Sequence, residues 1–411
     1  EKCPFVVVGR LFMGANQPVG GGPERGIVEV WHGGSPGGRP FDRQTRAASK
    51  YSGWISCAGP IALFSELNRR RVCYDSPHVL LTDCPPMPNT TLVPLLADGE
   101  FHSGQALADA LGVSRTAIWK QLNRLQSLGL QVESVKGRGY RIPGGVELLD
   151  ERQVRAGLTA SARNLLGGLQ LLETVDSTNA EMLRGIAAGC GPGQACSAEQ
   201  QTAGRGRRGR EWVSPYARNI YLSFSWEYHQ GAAALEGLSL AVGVAVVRAL
   251  NGLGVPGLQL KWPNDLLANG AKLGGVLLEM AGDAAGRCQV VVGVGINVAM
   301  PAAAAEGIDQ AWTDLTHLSG GKPPGRNALL AALLNELLPL ASTFGDTGFT
   351  PWRDSWMTLD AFADKPVVLH SGEQRQAGVA RGVDARGALQ LETTLGLQSV
   401  YGGEISLRAA P

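Results

Sequence analysis

The stretch Thr202-Ala-Gly-Arg-Gly-Arg-Arg-Gly-Arg-Glu-Trp212 sets four arginines into a run of small residues. Glycines let backbone N–H groups come close to an anion, and each arginine brings a permanently charged fork of donors. Such a loop is built to close over a phosphate or a carboxylate. Two later stretches make a similar statement: Lys261-Trp-Pro-Asn-Asp265, then Lys272-Leu-Gly-Gly-Val276. Lys261 follows apolar strand residues, so its stem is expected to be buried and its ammonium aimed into a site. Asn264 and Asp265 stand just beyond the strand, where polar groups orient a ligand or a metal. The loop contains no G-x-x-x-x-G-K-[ST] and is therefore unlike a nucleotide-binding P-loop. Together the three stretches read as a site that activates a carboxylate with ATP. That step accumulates negative charge at phosphorus, and it calls for positioned cations and backbone donors, with Mg²⁺, more than for an acid–base pair. Taken singly, the arginines would also suit a solvated loop, and Lys261 with Asp265 a purely structural ion pair.

The surrounding pattern predicts a mixed sheet. Residues 169–173 read as a strand, and Asp176-Ser-Thr-Asn179 caps a helix running to Gly189, with simple N-capping the plainest role for Ser177 and Thr178. Residues 219–226 alternate and predict a half-buried strand. Residues 232–253 predict one long apolar helix. Residues 258–262, 276–280 and 290–294 predict central strands, and 329–344 and 352–359 predict helices, all these helices being expected on one side of the sheet. Gly293-Val-Gly-Ile-Asn297 is half of a dinucleotide fingerprint, but no helix opens there and the third glycine is absent, so Gly293 and Gly295 are read as letting a ligand approach. Four short strands at 366–369, 376–383, 389–391 and 404–407 then predict a small β-barrel.

Upstream of the sheet, Leu92, Leu95 and Leu96 form one apolar stripe, Ser103 caps a second helix and Ser114 a third. On the third, Ile118, Leu122 and Leu125 face inward and leave Arg115, Thr116, Lys120 and Asn123 outward. Residues 132–135 and 140–142 flank Lys136-Gly-Arg-Gly139, a glycine turn that carries Lys136 and Arg138 at its tip. This is a helix-turn-helix followed by a β-hairpin wing, with Ser114, Arg115, Thr116, Lys120, Asn123, Lys136 and Arg138 as the expected DNA contacts. Pro143-Gly-Gly145 is the linker. Residues 1–86 show no sustained period, and the pattern begins abruptly at Met87; the sharper reading is that Met87 is the physiological start, the plainer one a natural tail or a poorly packed extra domain.

Composition sets few further bounds. With 44% hydrophobic and 18% charged residues the chain is ordinary for a folded protein rather than a disordered one. The net charge of +1 gives no polyanion signal, so nucleic-acid binding must come from a local patch. Seven cysteines form no C-x-x-C pair and no zinc spacing, and read as reduced thiols. No apolar run is read as reaching the ~20 residues needed to span a bilayer, nor the N-terminus as a signal peptide, and a cytoplasmic protein with no membrane partner is expected.

Ser177-Thr-Asn179, the loop 200–210, Lys261 to Asp265, Lys272 to Gly275, Gly295-Ile-Asn297 and Gly403-Glu-Ile-Ser-Leu-Arg408, with the winged helix in front, resemble the bacterial bifunctional biotin protein ligases that also act as biotin operon repressors. The resemblance spans residues 90–411. It implies an α+β chain with a winged helix-turn-helix at 90–145, a catalytic domain of class II synthetase-like mixed-sheet fold at 146–360 and an SH3-like barrel at 361–411. It implies synthesis of biotinyl-5′-AMP from biotin, ATP and Mg²⁺, transfer of biotin to a lysine of the biotin carboxyl carrier protein of acetyl-CoA carboxylase, and repression at operator DNA by an adenylate-bound homodimer. Carried over by position, Ser177, Thr178, Asn179, Gln200, Gly204, Arg205, Arg207, Lys272 and Gly274 belong to biotin. Arg207, Arg208, Arg210, Lys261, Asp265, Asn297, Trp312 and Arg408 belong to the nucleotide, and Lys272, Arg205 and Arg207 to catalysis. No metal ligand is assigned beyond Mg²⁺ carried by ATP. The run Ala302 to Ala305 before Trp312 departs from the family's usual sequence. Two other readings compete: a lipoate-type ligase, whose Arg-Arg-x-x-Gly-Gly-Gly type of motif is missing, and a repressor that senses biotin without turnover, for which so much phosphate-directed charge has no use.

Overall fold

Ser103 and Ser114 begin two helices by the same device, each side-chain oxygen accepting a hydrogen bond from the N–H three residues on, at 3.0 and 3.2 Å. The computed structural model describes residues 92–282, 286–372, 374–402 and 405–409; Met87, the cysteines at 3, 57, 73 and 84, and Gly403-Glu404 lie outside them. Helices α1 (Val93–Leu96), α2 (Gly104–Leu111) and α3 (Arg115–Ser127) enclose Leu92, Leu96, Leu107, Ile118, Leu122 and Leu125. Gly112 ends α2 in the left-handed region. Strands β1 (Glu133–Val135) and β2 (Gly139–Arg141) pair antiparallel as the wing. Gly139 has to be glycine: its φ is +108°, and a Cβ there would meet the His102 carbonyl, which pairs with Tyr140. Arg138 does not simply project from the wing, since its guanidinium lies over the Phe101 ring at 4.1 Å. The core of this small domain is completed from elsewhere in the chain, by Tyr216 and Ala217, both almost fully buried in it.

After α4 (Glu151–Ala156) and α5 (Ala160–Leu165), β3 (Gly168–Val175), α6 (Thr178–Ala187) and β4 (Gln194–Gln201) make one parallel crossover. The rest of the sheet is antiparallel: β5 (Ile220–Tyr228), then α7 (Leu238–Gly252), β6 (Leu258–Lys261), β7 (Asp265–Ala268), β8 (Ala271–Gly282) and β9 (Cys288–Ile296). The spatial order β3-β4-β5-β9-β8-β7-β6 is the mixed sheet expected. α8 (Leu315–Leu318) is short, while α9 (Arg326–Thr347) and α10 (Thr350–Leu359) join α7 under the sheet, against Val290, Val292, Val294 and Ile296.

The fold corrects the sequence reading in several places. Helices cover both faces, because α6 crosses to the other side and packs Met182 on Cys196 and Val291. Residues 220–225 are buried on both faces rather than half-buried, because β5 lies between β4 and β9. The 232–253 helix is broken at Gly237 (φ +77°), where a Cβ would stand 2.6 Å from the Phe349 side chain; a short 3₁₀ turn precedes α7. β6 is an edge strand, and its neighbour β7 was not foreseen, nor was β4. The sequence Gln194-Ala-Cys-Ser-Ala-Glu-Gln-Gln201 carries no β-branched or aromatic residue. The expectation that no apolar run could span a bilayer also fails: residues 232–252 and α9 have the length and apolarity, and both are largely buried in the core.

The C-terminal strands are β10 (Pro366–Ser371), β11 (Gln374–Val383), β12 (Leu389–Thr393), β13 (Gly396–Val400) and β14 (Ile405–Ala409). They form a five-stranded antiparallel sheet in the order β13-β12-β11-β10-β14, with a bulge in β11 between Ala380 and Val383, around Val367, Leu369, Leu391 and Leu407. This is the arrangement of a small SH3-like barrel, and β13 is one strand more than the sequence suggested.

Candidate active site

A cavity of about 430 Å³ opens on the face of the sheet that α6 covers only at one end. Its floor comes from β5, β9 and β8 through Ser223, Gly293, Gly295 and Leu277. Gly293 and Gly295 do bring something close, but it is protein: a Cβ at 293 would stand 2.2 Å from Asn179 Oδ1, and one at 295 would stand 2.6 Å from the Trp212 ring. The two missing side chains are thus the seats of Asn179 and Trp212.

One end of the cavity is built of neutral polar groups, with Arg205 beside Ser177 and balanced by Glu279. Ser177 caps α6, and Thr178 and Asn179 follow it, all three buried. Ser223 Oγ lies 2.7 Å from Thr178 Oγ1 and 2.6 Å from Asn179 Oδ1. Gln201 Oε1 accepts from the Thr178 N–H at 2.9 Å, and its amide donates to Ser214 Oγ at 3.0 Å. Asn179 Nδ2 donates to Glu279 at 2.8 Å, and the same carboxylate holds Arg205 at 2.9 Å.

The other end is crowded with cations. Arg207, Arg208, Arg210, Lys261, Lys272 and Arg408 are there, six cationic side chains, and the acids lining the cavity are Glu211, Asp265 and Asp309; a seventh cation, Arg205, lies at the first end, its Nε 3.4 Å from Ser177 Oγ. Asp265 holds Lys272 Nζ at 2.7 Å and Lys261 Nζ at 3.9 Å. Burial lowers the pKa of Lys261, Asp265 opposes, and the charges of Lys272, Arg408 and Arg210 lower it further. An anion arriving there relieves like-charge repulsion. The glycine–arginine loop forms the roof as a tight turn, with the Gly206 N–H donating to Arg210 O at 2.7 Å and Arg208 at φ +61°. It is fastened on two sides: Arg207 donates to Asn264 Oδ1 at 2.9 Å, and Arg208 donates to Ser406 Oγ at 3.3 Å. The last strand of the chain is therefore part of the site. Trp212 walls the cavity between the two ends, its Nε1 buried and without an acceptor among the described residues, with Lys272 Nζ 5.6 Å from its ring.

The structure brings Ser177, Thr178, Asn179, Arg205, Arg207, Arg208, Arg210, Lys261, Asp265, Lys272 and Arg408 to this one cavity. Five expected residues do not line it. Gln200 gives way to Gln201, since neighbours on a strand point to opposite sides and Gln201 takes the inner one. Gly204 and Gly274 serve close packing, against Trp212 O and Gly295 O respectively. Asn297 is buried beneath the loop that follows β9, donating to Thr313 O at 3.1 Å. Trp312 pairs through its backbone with Lys272 and lines a separate shallow hollow with Asn269, Asp314 and His317. The sequence reading missed Gln201, Ser223 and Glu279. A serine in the apolar run Ile220-Tyr-Leu-Ser-Phe224 is the signal that could have found the second.

Comparison with known proteins agrees with this geometry. Residues 90–141 match an HTH domain, 172–297 the biotin/lipoate A/B protein ligase family, and 363–408 the biotin protein ligase C terminal domain. The chain is 42% identical over 320 residues to the bifunctional ligase/repressor BirA of Salmonella typhimurium, covering 78% of this chain and 97% of the relative. It is 41% identical over 319 residues to that of Escherichia coli K12, with the same coverage. Among solved structures, biotin protein ligase from Aquifex aeolicus in complex with biotin and ATP superposes with a TM-score of 0.51 at 29% identity, over 60% of this chain and 100% of that one. A winged helix, a cavity with one neutral and one cationic end, and near full-length similarity to these relatives agree on one assignment: the chain belongs to the family of bifunctional biotin ligase/repressors.

Proposed function

We propose that biotin lies along this cavity with its ureido ring at the Ser177, Thr178, Asn179 and Gln201 end and its carboxylate among the cations. The observation that carries this is the division of one cavity into an end of paired neutral donors and acceptors, where Arg205 is balanced by Glu279, and an end of six cations. A ureido group has two N–H donors and one carbonyl, which neutral hydroxyls and amides match, whereas a carboxylate and a triphosphate need charge. A carboxylate oxygen of biotin attacks the α-phosphorus of ATP, pyrophosphate leaves, and biotinyl-5′-AMP remains. The lysine amine of the carrier protein then attacks the acyl carbon and AMP departs. Lys272 and the loop arginines hold the charge that develops at phosphorus. Mg²⁺ enters with ATP as part of the substrate.

Exchange of labelled pyrophosphate into ATP, dependent on biotin, tests the reading. Exchange supported by lipoate instead would point to the sister chemistry, and tight biotin binding with no exchange would make the chain a sensor. Gly293→Ala is expected to weaken biotin binding tenfold to about a hundredfold, because the added methyl displaces Asn179. Calorimetric titration with biotin checks it, and unchanged affinity would remove Asn179 from the biotin end.

We further propose domain limits of 90–145, 146–360 and 361–411, a cytoplasmic location, and a homodimer formed by the adenylate-bound chain on a two-fold operator. One winged helix covers only a few base pairs, so specificity needs two half-sites about 34 Å apart or a multiple of it. Dimerisation that depends on the adenylate lets repression report biotin supply, and linkage requires the dimer to hold the adenylate more tightly in return. Carrier protein awaiting biotin drains the adenylate and keeps the chain monomeric. Sedimentation is expected to show a monomer alone and a dimer with biotin plus ATP; a monomer in both, at concentrations where the operator is bound, would remove the switch.

A further inference from the structure

Trp119 is 57% exposed, on the fifth residue of α3. An indole left in water on a helix that buries its apolar stripe elsewhere marks a contact surface. Helical spacing places Trp119 beside Arg115 and Thr116, one turn earlier, and Asn123, one turn later, all exposed, with Ile118, Leu122 and Leu125 on the buried side. The nearby aromatic Phe101 is capped by Arg138 and Arg141 at 4.1 and 4.5 Å, whereas no cation covers Trp119 among the described residues. Val113, in the turn just before α3, is exposed too, so the end of the domain that bears the basic face also presents apolar surface.

We propose that Trp119 is a specificity-determining residue, its ring packing on the 5-methyl group of a thymine in the major groove. The inference rests on reading α3 as the helix that enters DNA. The first turns of such a helix meet base edges, and Trp119 lies within them between groups suited to phosphates and to polar base edges. In the major groove the apolar feature of a base pair is the thymine methyl. Wedging between base steps belongs to minor-groove binders, which α3 does not resemble.

The test selects duplexes from random DNA with the full chain in the presence of biotin and ATP. Each thymine of the selected duplex is then replaced by uracil, which removes only the methyl. At one thymine per half-site, uracil is expected to weaken the unaltered protein about fourfold, roughly fifteenfold when both half-sites are changed. Trp119→Ala should bind the thymine duplex more weakly by a similar factor and no longer distinguish uracil, while Trp119→Phe should keep part of the discrimination. Circular-dichroism melting checks that the variants remain folded. If uracil costs Trp119→Ala as much as it costs the unaltered protein, while Arg115→Ala and Lys120→Ala still weaken binding, the Trp119 assignment is overturned and α3 remains the DNA-reading helix. If neither charge removal changes DNA affinity, α3 does not face DNA and both readings fall.

Discussion

Lys272→Ala is expected to slow formation of the biotinyl adenylate by about 10²–10³-fold, the usual cost of one preorganised charged donor, about 2.7–4 kcal/mol. Lys272 has a mostly buried stem and an ammonium fixed at 2.7 Å by Asp265, so its charge is in place before substrates arrive. Trp212 stands over it and keeps that side of the cation apolar. Biotin affinity should fall much less, because the ureido end of the cavity is untouched and the carboxylate still meets the loop arginines. Single-turnover adenylation, followed by quenching and nucleotide analysis, separates the two effects. Adenylation that survives within about tenfold would assign the phosphate to another cation, Lys261 being the nearest on the same carboxylate.

Arg326→Ala is expected to be strongly destabilising, costing about 3–5 kcal/mol. Its guanidinium and Glu199 form an ion pair at 2.7 Å with side-chain exposures of only 5% and 8%. Arg326 also donates to the carbonyls of Asn219, at 3.0 and 3.1 Å, and Glu147, at 2.6 Å, while the other oxygen of Glu199 accepts the Leu149 N–H. Removing the arginine leaves a carboxylate in the interior with no countercharge and strips two carbonyls of their donor. At about 2–4 °C per kcal/mol for a large domain, the melting temperature should drop by roughly 6–20 °C. Replacing both partners with apolar residues, Arg326→Met with Glu199→Leu, should recover much of the loss. A single variant that melts within a few degrees of the unaltered protein would show that the pair is not desolvated.

What could be read in advance follows from which residues carry a local signal. The four arginines of the roof and Lys272 announced themselves by composition, and Ser177 by standing at a helix start. The three helices of the winged domain were legible because capping serines and apolar stripes agree along them. Parity was not legible in Glu199-Gln-Gln201: three polar residues in a row show no alternation, and only the docking of α6 decides that Gln201 turns inward. Strand β4 was hidden for the same reason, since its burial comes from sheet position and from Arg326, which is more than a hundred residues away along the chain. Gly293 and Gly295 were recognised as places of close approach, but the sequence could not say that Asn179 and Trp212, rather than a ligand, fill them.

Tyr216 and Ala217 sit in the core of the winged domain, yet they follow the cavity's roof by only a few residues. Residues 90–145 are therefore not a portable cassette: lifted into another protein, they would expose the floor that these two side chains close. The segment 212–217 is correspondingly shared by the cavity and the winged domain. A change there is felt on two sides, since Trp212 walls the cavity and Tyr216 completes the core of the winged domain.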